Sequence, residues 1–103
     1  RRVEQITYHA YRPMAERRLR ALVAEIETEH EDLALAVVHR LGRIAVGQAS
    51  VAIAAASPHR EASYAASRRA LERLKAEVPI WKREHYADGS ERWREEESLR
   101  LVD

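Results

Sequence analysis

The segment Leu74-Lys75-Ala76-Glu77-Val78-Pro79-Ile80-Trp81-Lys82-Arg83-Glu84 marks where a helical pattern ends and the chain turns back. Pro79 ends the helix because proline has no N–H to donate and disfavours helix at the residue before it. Lys82 therefore lies beyond the helix, on a segment that can fold back toward Lys75. Trp81 is expected to anchor this turn against a core. On spacing alone, ordinary solvated lysines at a helix end are the simpler interpretation.

Two helical patterns supply most of the apolar residues. The first runs from Met14 to about Glu29, with Pro13 at its first turn, where the missing N–H costs nothing. The second follows Ser57 and Pro58, and we expect the serine to cap it and the proline to occupy its first turn. Both patterns have a period near 3.6 residues, which indicates amphipathic helices. The apolar positions are Ala15, Leu19, Leu22, Val23, Ile26, Ala66, Ala70, Leu71, Leu74 and Val78.

Strand patterns surround the two helices. They cover residues 2–10, 33–40 and 50–56, and a hairpin signal at 86–90 lies within the strand-like stretch 84–97. Gly42 and Gly47 bracket a further short piece, where glycine permits turn geometry. Strands and helices do not alternate as a doubly wound sheet requires. We therefore predict an α+β fold with a mostly antiparallel sheet and two main helices.

The composition indicates one soluble globular domain spanning residues 1–103, since 46% of the residues are hydrophobic and 34% are charged. Eighteen basic and seventeen acidic residues give a net charge of +1. This balance argues against a general nucleic-acid-binding protein, which carries a basic excess. No apolar run reaches the roughly 18 residues of a membrane span, and no signal-peptide pattern opens the chain, so a cytoplasmic location is expected.

Neither cysteine chemistry nor a metal site is expected. The chain has no cysteine, so it carries no thiol nucleophile and no disulfide. Its five histidines show no compact ligand spacing such as His-x-x-x-His. We therefore predict no metal and no cofactor, and any sulfur chemistry needs sulfur that arrives on another molecule.

Three ordered motifs and a closing hairpin resemble those of the large, catalytic subunit of molybdopterin synthase. The segment 74–84 resembles that family's Leu-Lys, Pro-Ile-Trp-Lys signature. Residues 39–47, His-Arg-Leu-Gly-Arg-Ile-Ala-Val-Gly, resemble its strand and turn beginning with His-Arg. Residues 57–62, Ser-Pro-His-Arg-Glu-Ala, resemble its Ser-x-His-Arg helix start, with the aromatic residue supplied one place later by Tyr64. Residues 88–93, Asp-Gly-Ser-Glu-Arg-Trp, resemble its closing hairpin, so the resemblance covers nearly the whole chain.

The resemblance implies a fold, a reaction and a set of partners. The fold is α/β-hammerhead-like. The family inserts two sulfurs into cyclic pyranopterin monophosphate to make the dithiolene of molybdopterin. The donor is a small ubiquitin-like subunit whose C-terminal Gly-Gly ends in a thiocarboxylate and threads into a pocket of the large subunit. The large subunits form a homodimer within a heterotetramer.

The same resemblance implies roles for five residues. Lys75 and Lys82 match the family's two active-site lysines in identity and spacing, with Lys75 nearest the sulfur-transfer chemistry and Lys82 binding substrate. His59 and Arg60 are expected to hold the phosphate, at a helix start whose free N–H groups also favour anions. Arg40 is a further substrate-binding candidate. His39 belongs to a family motif, but on a strand of small apolar residues we interpret it as structural.

Two departures from the family pattern leave alternatives open. The chain begins inside a strand pattern, without the family's N-terminal Gly-x-Val-Arg strand, so we interpret it as N-terminally truncated. The family's late arginine falls at Glu97, with Arg94 and Arg100 nearby. A non-catalytic binding module that keeps the groove for the partner tail is therefore the alternative function. A nucleic-acid adaptor is a second alternative, which the charge balance disfavours.

Overall fold

The computed structural model describes residues 2–94, and the side chain of Arg94, together with Glu97 and Arg100, lies outside the described part. The elements follow one another along the chain as β1 (Val3–Ala10), α1 (Arg12–Thr28), β2 (Ala34–His39), β3 (Gly42–Ala45), β4 (Val51–Ala56), α2 (Arg60–Glu77), β5 (Ile80–Tyr86) and β6 (Glu91–Arg94). The predicted α+β class with two main helices is confirmed. The strands predicted at 2–10, 33–40 and 50–56 are present, and α1 begins two residues before the predicted Met14. The strand-like stretch predicted at 84–97 corresponds to β5, which already begins at Ile80, and to β6, and its residues 95–97 lie outside the described part.

The strands of residues 2–94 form two antiparallel ladders. A four-stranded sheet has the order β3-β1-β5-β6, and β2 pairs with β4 in a separate two-stranded ribbon. The central strand β1 places Ile6 opposite Ile44 of β3 and Glu84 of β5. The antiparallel prediction is confirmed. The division into two sheets depends on which strands meet in space, and strand patterns do not specify that.

The core lies between the two helices and the inner face of the β2–β4 ribbon. Its fully buried large side chains are Leu22, Ile26 and Leu74. Small residues on both helices, such as Ala15, Ala66 and Ala70, let the helix backbones approach one another closely. Neither helix of residues 2–94 combines the length and the hydrophobicity that a bilayer-spanning helix needs.

Ion pairs join the solvent side of the α1–α2 contact. Arg73 donates to both carboxylate oxygens of Glu77, at 2.7 and 3.0 Å, and to Glu25 of α1 at 2.7 Å. Arg18 of α1 also donates to Glu77. Hydrogen bonds from Arg73, followed by the charges of Arg73 and Arg18, lower the pKa of Glu77 against the opposing effect of its burial. The carboxylate of Glu77 is thus charged and tied to both helices.

The start of α2 differs from its prediction. The N-cap residue is His59, in an extended conformation and without a capping side-chain hydrogen bond, and the helix begins at Arg60. Ser57 donates its hydroxyl to the His59 carbonyl and lies 3.1 Å from the Ser63 hydroxyl. The predicted capping role of Ser57 and the first-turn position of Pro58 are therefore wrong, because the serine hydroxyl bonds within the turn that precedes the helix.

The anchor of the turn after α2 also differs from its prediction. Pro79 does end the helix, since the cap residue Val78 is already extended. The residues of this turn that enter the core are Val78 and Ile80, which are 2% and 3% exposed. Trp81 is 38% exposed on the other face of β5, so its predicted anchoring role is wrong. Alternation along a strand turns Trp81 away once Ile80 faces inward.

Candidate active site

The C-terminal end of α2 returns to the end of β2. Only residues 57–59 connect β4 to α2, so the chain reverses direction there. Helix α2 packs on the β2–β4 ribbon and runs back along β4 toward the end of β2. This course brings Lys75, in the last turn of α2, close to His39, the last residue of β2. Burial is the main cause that lowers the pKa of His39, and the charge of Lys75 lowers it further, as expected for two neighbouring cationic groups.

Lys82 reaches the same region from the four-stranded sheet. It is the direct register partner of Tyr8 on β1, so both side chains lie on one face of the sheet. The Tyr8 ring meets the His39 ring edge to face, with centroids 4.9 Å apart and planes at 79°. Tyr8 and His39 thus form the bridge between Lys82 and Lys75. We call these four residues the lysine cluster.

His39 is held in one tautomer. Its Nδ1 lies 2.7 Å from the backbone carbonyl of Arg40, which can only accept a hydrogen bond, so Nδ1 carries the proton. Burial is the main cause that lowers the pKa of His39, the bond to Arg40 opposes this, and repulsion by Lys75 adds to it. The imidazole is therefore neutral near pH 7, and its unprotonated nitrogen is Nε2.

A cavity of about 240 Å³ opens beside the lysine cluster. His39 contributes to its wall, and the N-terminal half of α1 supplies a cation and a carboxylate, Arg12 and Glu16, whose charged groups lie 3.5 Å apart. The remaining wall is apolar and consists of Ala15, Leu19, Leu41, Val78 and Ile80. The cavity therefore combines an apolar wall with charged groups at its α1 side, as small-molecule and peptide-tail sites do.

His59 and Arg60 lie at the opposite end of α2. Together with Pro58, Glu61 and Tyr64 they line a concavity of about 700 Å³ at the start of the helix. Lys75 follows Arg60 by fifteen residues within α2, which at 1.5 Å per residue is about 22 Å along the axis. Helical side chains tilt toward the N-terminus, so the Arg60 and Lys75 side chains lean in the same direction and the tilt does not shorten their separation.

The structure therefore brings Lys75 and Lys82 to one end of α2 and places His59 and Arg60 at the other end. Lys75 and Lys82 belong to the lysine cluster, and Arg40 directly follows His39 with an exposed side chain. His59 and Arg60 form a second basic site. Such cations can bind a phosphate or carboxylate, and an amine such as Lys75 can also transfer a proton.

Sequence reasoning missed Tyr8 and interpreted His39 as structural. The signal for His39 was the alternation of Leu35, Val37 and His39, whose first members face the core. Tyr8 became significant only through its register with Lys82. Across residues 2–94, no three His, Asp or Glu side chains come together as metal ligands would.

Comparison with known proteins points to a single family. A family model described as "MoaE protein" matches residues 1–77. A protein of Bacillus subtilis named molybdopterin synthase catalytic subunit is 46% identical over 93 residues, a match that covers 90% of this chain and 59% of that protein. A protein of the same name from Oryza sativa subsp. indica is 47% identical over 95 residues, which covers 92% of this chain and 49% of that protein.

Solved structures give the same result. The crystal structure of molybdopterin synthase from Staphylococcus aureus superimposes with a TM-score of 0.84 at 39% identity, covering 89% of this chain and 66% of that one. The MoaE protein of Burkholderia ambifaria superimposes with a TM-score of 0.75 at 32% identity, covering 87% of this chain and 62% of that one. The chain thus spans about 59% of the length of its Bacillus subtilis relative.

Proposed function

The chain belongs to the MoaE protein family, and on that premise we propose that it is the large, catalytic subunit of a molybdopterin synthase. It is a sulfurtransferase that moves sulfur from the C-terminal thiocarboxylate of a small ubiquitin-like subunit to cyclic pyranopterin monophosphate. The chain has no cysteine, which fits a reaction whose sulfur arrives on a partner. It acts in the cytoplasm.

The observation that carries this proposal is the convergence of Lys75 and Lys82 on one Tyr8–His39 pair. The two lysines come from different elements, α2 and β5. Lys82 adjoins this pair through its register with Tyr8, and Lys75 through its electrostatic effect on His39. Ordinary solvated lysines have no reason to approach a half-buried imidazole. The neighbouring cavity provides an apolar wall along which an extended Gly-Gly tail can lie.

Each charged residue near the C-terminal end of α2 has a proposed role. The thiocarboxylate sulfur forms a bond to a substrate carbon, from which an oxygen group leaves. Water then cleaves the bond between that sulfur and the tail carbonyl carbon, so the tail is left as a carboxylate. These steps require proton movement while negative charge develops at the carbonyl oxygen. Lys75 is the group nearest the tail carbonyl and donates or accepts the proton. Lys82 binds substrate and stabilises the developing charge. Arg40, exposed at the rim, binds an anionic part of the substrate or the tail.

His59 and Arg60 serve the active site of a second copy. A single pyranopterin is much shorter than the roughly 22 Å of helix that separates Arg60 from Lys75 in one chain. The phosphate-binding role expected of this pair is therefore incompatible with the lysines of the same chain. A homodimer in which the α2 start of one copy approaches the lysine cluster of the other satisfies both roles.

A reconstituted sulfur-transfer assay tests the proposal. The protein is mixed with a thiocarboxylated small subunit and the pyranopterin precursor, and molybdopterin is measured beside Lys75→Ala and Lys82→Ala. The control is Arg68→Ala on the same helix, whose side chain is 81% exposed and pairs only with Glu72 among the described residues. We expect product from the parent and the control, and at least a hundredfold less from the lysine variants, the scale of a lost acid–base group.

Other outcomes contradict this assignment. Full activity in both lysine variants would remove them from the mechanism. If the parent binds the small subunit, measured by calorimetry, but forms no product, the chain is a binding module. Absence of binding would exclude both functions.

A further inference from the structure

The concavity at the start of α2 has the size of a small-molecule site. Its volume of about 700 Å³ lies within the roughly 300–1,000 Å³ typical of ligand pockets, whereas the cavity of about 240 Å³ beside the lysine cluster lies below that range. Besides the basic pair His59 and Arg60, its lining contains a carboxylate, Glu61, and an aromatic ring, Tyr64. A carboxylate repels phosphate, so these two groups indicate a further, uncharged part of the ligand.

The ring of Tyr64 lies open within this concavity. Tyr64 is 68% exposed, and it follows Arg60 by four residues and Glu61 by three in α2, so its side chain neighbours both. Among the residues that the structure describes, these three side chains make no hydrogen bond or ion pair. Further along α2, by contrast, the exposed side chains of Arg68 and Arg69 each pair with a glutamate. The first turns of α2 therefore leave a ring, a cation and a carboxylate for a ligand.

These groups match the parts of a phosphorylated pterin. The planar pyrimidine ring of a pterin has a 2-amino group and an N3–H along one edge, and an ionised carboxylate accepts two such parallel hydrogen bonds at once. Building on the function proposed above, we propose that Tyr64 and Glu61 bind the pterin ring of the substrate whose phosphate His59 and Arg60 hold. Tyr64 stacks against the ring, and Glu61 accepts hydrogen bonds from its amino edge. Glu61 thus selects a 2-amino-4-oxo ring.

A conservative substitution separates this role of Glu61 from a purely structural one. A carboxylate in the first turn of a helix also interacts favourably with the helix dipole, and Glu61 occupies that turn. That effect needs only the negative charge. Glu61→Asp keeps the charge in the first turn but withdraws the carboxylate by one methylene group, so it should preserve the helix and lose the paired hydrogen bonds to the pterin.

Calorimetric titration with neopterin monophosphate, an unreactive pterin with a phosphorylated side chain, tests this recognition without any sulfur transfer. We expect the parent and Tyr64→Phe to bind it alike, and Tyr64→Leu to bind it roughly tenfold more weakly, the scale of one lost aromatic stack. Glu61→Gln and Glu61→Asp should each weaken binding by about tenfold, as loss of a hydrogen bond to a charged group does. The controls are Tyr11→Leu, at a tyrosine that is 62% exposed before α1, and Glu72→Gln on α2. Both should bind like the parent.

A second ligand tests the assignment of the amino edge to Glu61. The lumazine with the same phosphorylated side chain has an oxygen in place of the 2-amino group. The parent should bind it about tenfold more weakly than the pterin, and Glu61→Gln should lose that preference. No binding of neopterin monophosphate, equal binding of both ligands by the parent, or unchanged binding in Tyr64→Leu would overturn the proposal even in an active synthase. A protein with these preferences but without sulfur-transfer activity would keep the pterin site and reject the synthase.

Discussion

Arg60 and Lys75 lie at opposite ends of α2, about 22 Å apart along the helix axis. Arg60 lines a broad concavity at the start of the helix, and Lys75 lies near the Tyr8–His39 contact. A helix is rigid over this distance, so the two residues stay at its opposite ends. The candidate site residues of one chain therefore form two separate groups, one at each end of α2.

Mixed dimers should recover activity that neither parent variant has. Lys75→Ala and Arg60→Ala chains are each expected to lose most sulfur transfer. When equal amounts are unfolded and refolded together, about half of the dimers are mixed, and one of the two sites in each mixed dimer has both residues intact. We expect about a quarter of the wild-type rate. If mass spectrometry verifies the mixed dimers but no sulfur-transfer activity is recovered, both residues belong to a site within one chain.

Glu77→Gln should destabilise the fold at neutral pH and not at acidic pH. The pKa of Glu77 is lowered in the folded state, so the unfolded chain binds more protons, and the stabilisation present above the unfolded value is lost as pH falls through the folded one. Because the variant weakens charged hydrogen bonds to Arg73, we expect a loss of about 1.5–3 kcal/mol at pH 7. Urea denaturation at pH 7 and near pH 3 measures it.

The matched control for that experiment is Glu72→Gln. Glu72 forms an i,i+4 pair with Arg68 whose side chains are 42% and 81% exposed. Exposed pairs contribute little, so this variant should change the free energy of unfolding by less than about 0.5 kcal/mol. If both variants lose the same free energy of unfolding, the stabilisation by these ion pairs does not depend on their position in the α1–α2 contact.

Leu74→Ala should be among the most destabilising single changes in the helices. Leu74 is 1% exposed in the core beneath the turn that carries Lys75. Removing its side chain should cost about 2–5 kcal/mol through lost burial and the cavity left behind. Thermal and urea unfolding measure this loss of free energy. The control is Leu71→Ala, at a partly buried neighbour, which is expected to lose less free energy of unfolding. A smaller effect at Leu74 than at Leu71 would contradict the described core.

Thr7→Val should weaken the four-stranded sheet. The Thr7 hydroxyl lies 2.8 Å from Nε2 of His85, whose Nδ1 lies 3.3 Å from Glu91, so one histidine ties β1 to β6 across β5. The nearly isosteric valine leaves His85 without that partner, which should cost about 1 kcal/mol. Amide hydrogen exchange should quicken in β6. Thr28→Val, which affects only a bond to Glu25 within α1, should leave β6 exchange unchanged.

The elements could be predicted because their causes are local. Pro79 ends α2 since it lacks an N–H, and the spacing of Ala66, Ala70 and Leu74 produced the buried stripe that the structure shows. The predictions that depended on a neighbour in space did worse. Ser57 is not a cap because its hydroxyl donates to the His59 carbonyl, and Trp81 is not an anchor because strand alternation turns its side chain outward.

The candidate site divides in the same way. The sequence alone determined the identity and spacing of Lys75 and Lys82, the basic pair at the start of α2, and the absence of any thiol. Only the tertiary structure decided that Tyr8 and His39 link the two lysines and that His59 and Arg60 lie a helix length away from them. Helix propensity and turn chemistry act over a few residues, whereas strand register and the course of a helix across a sheet are set by burial of the whole core.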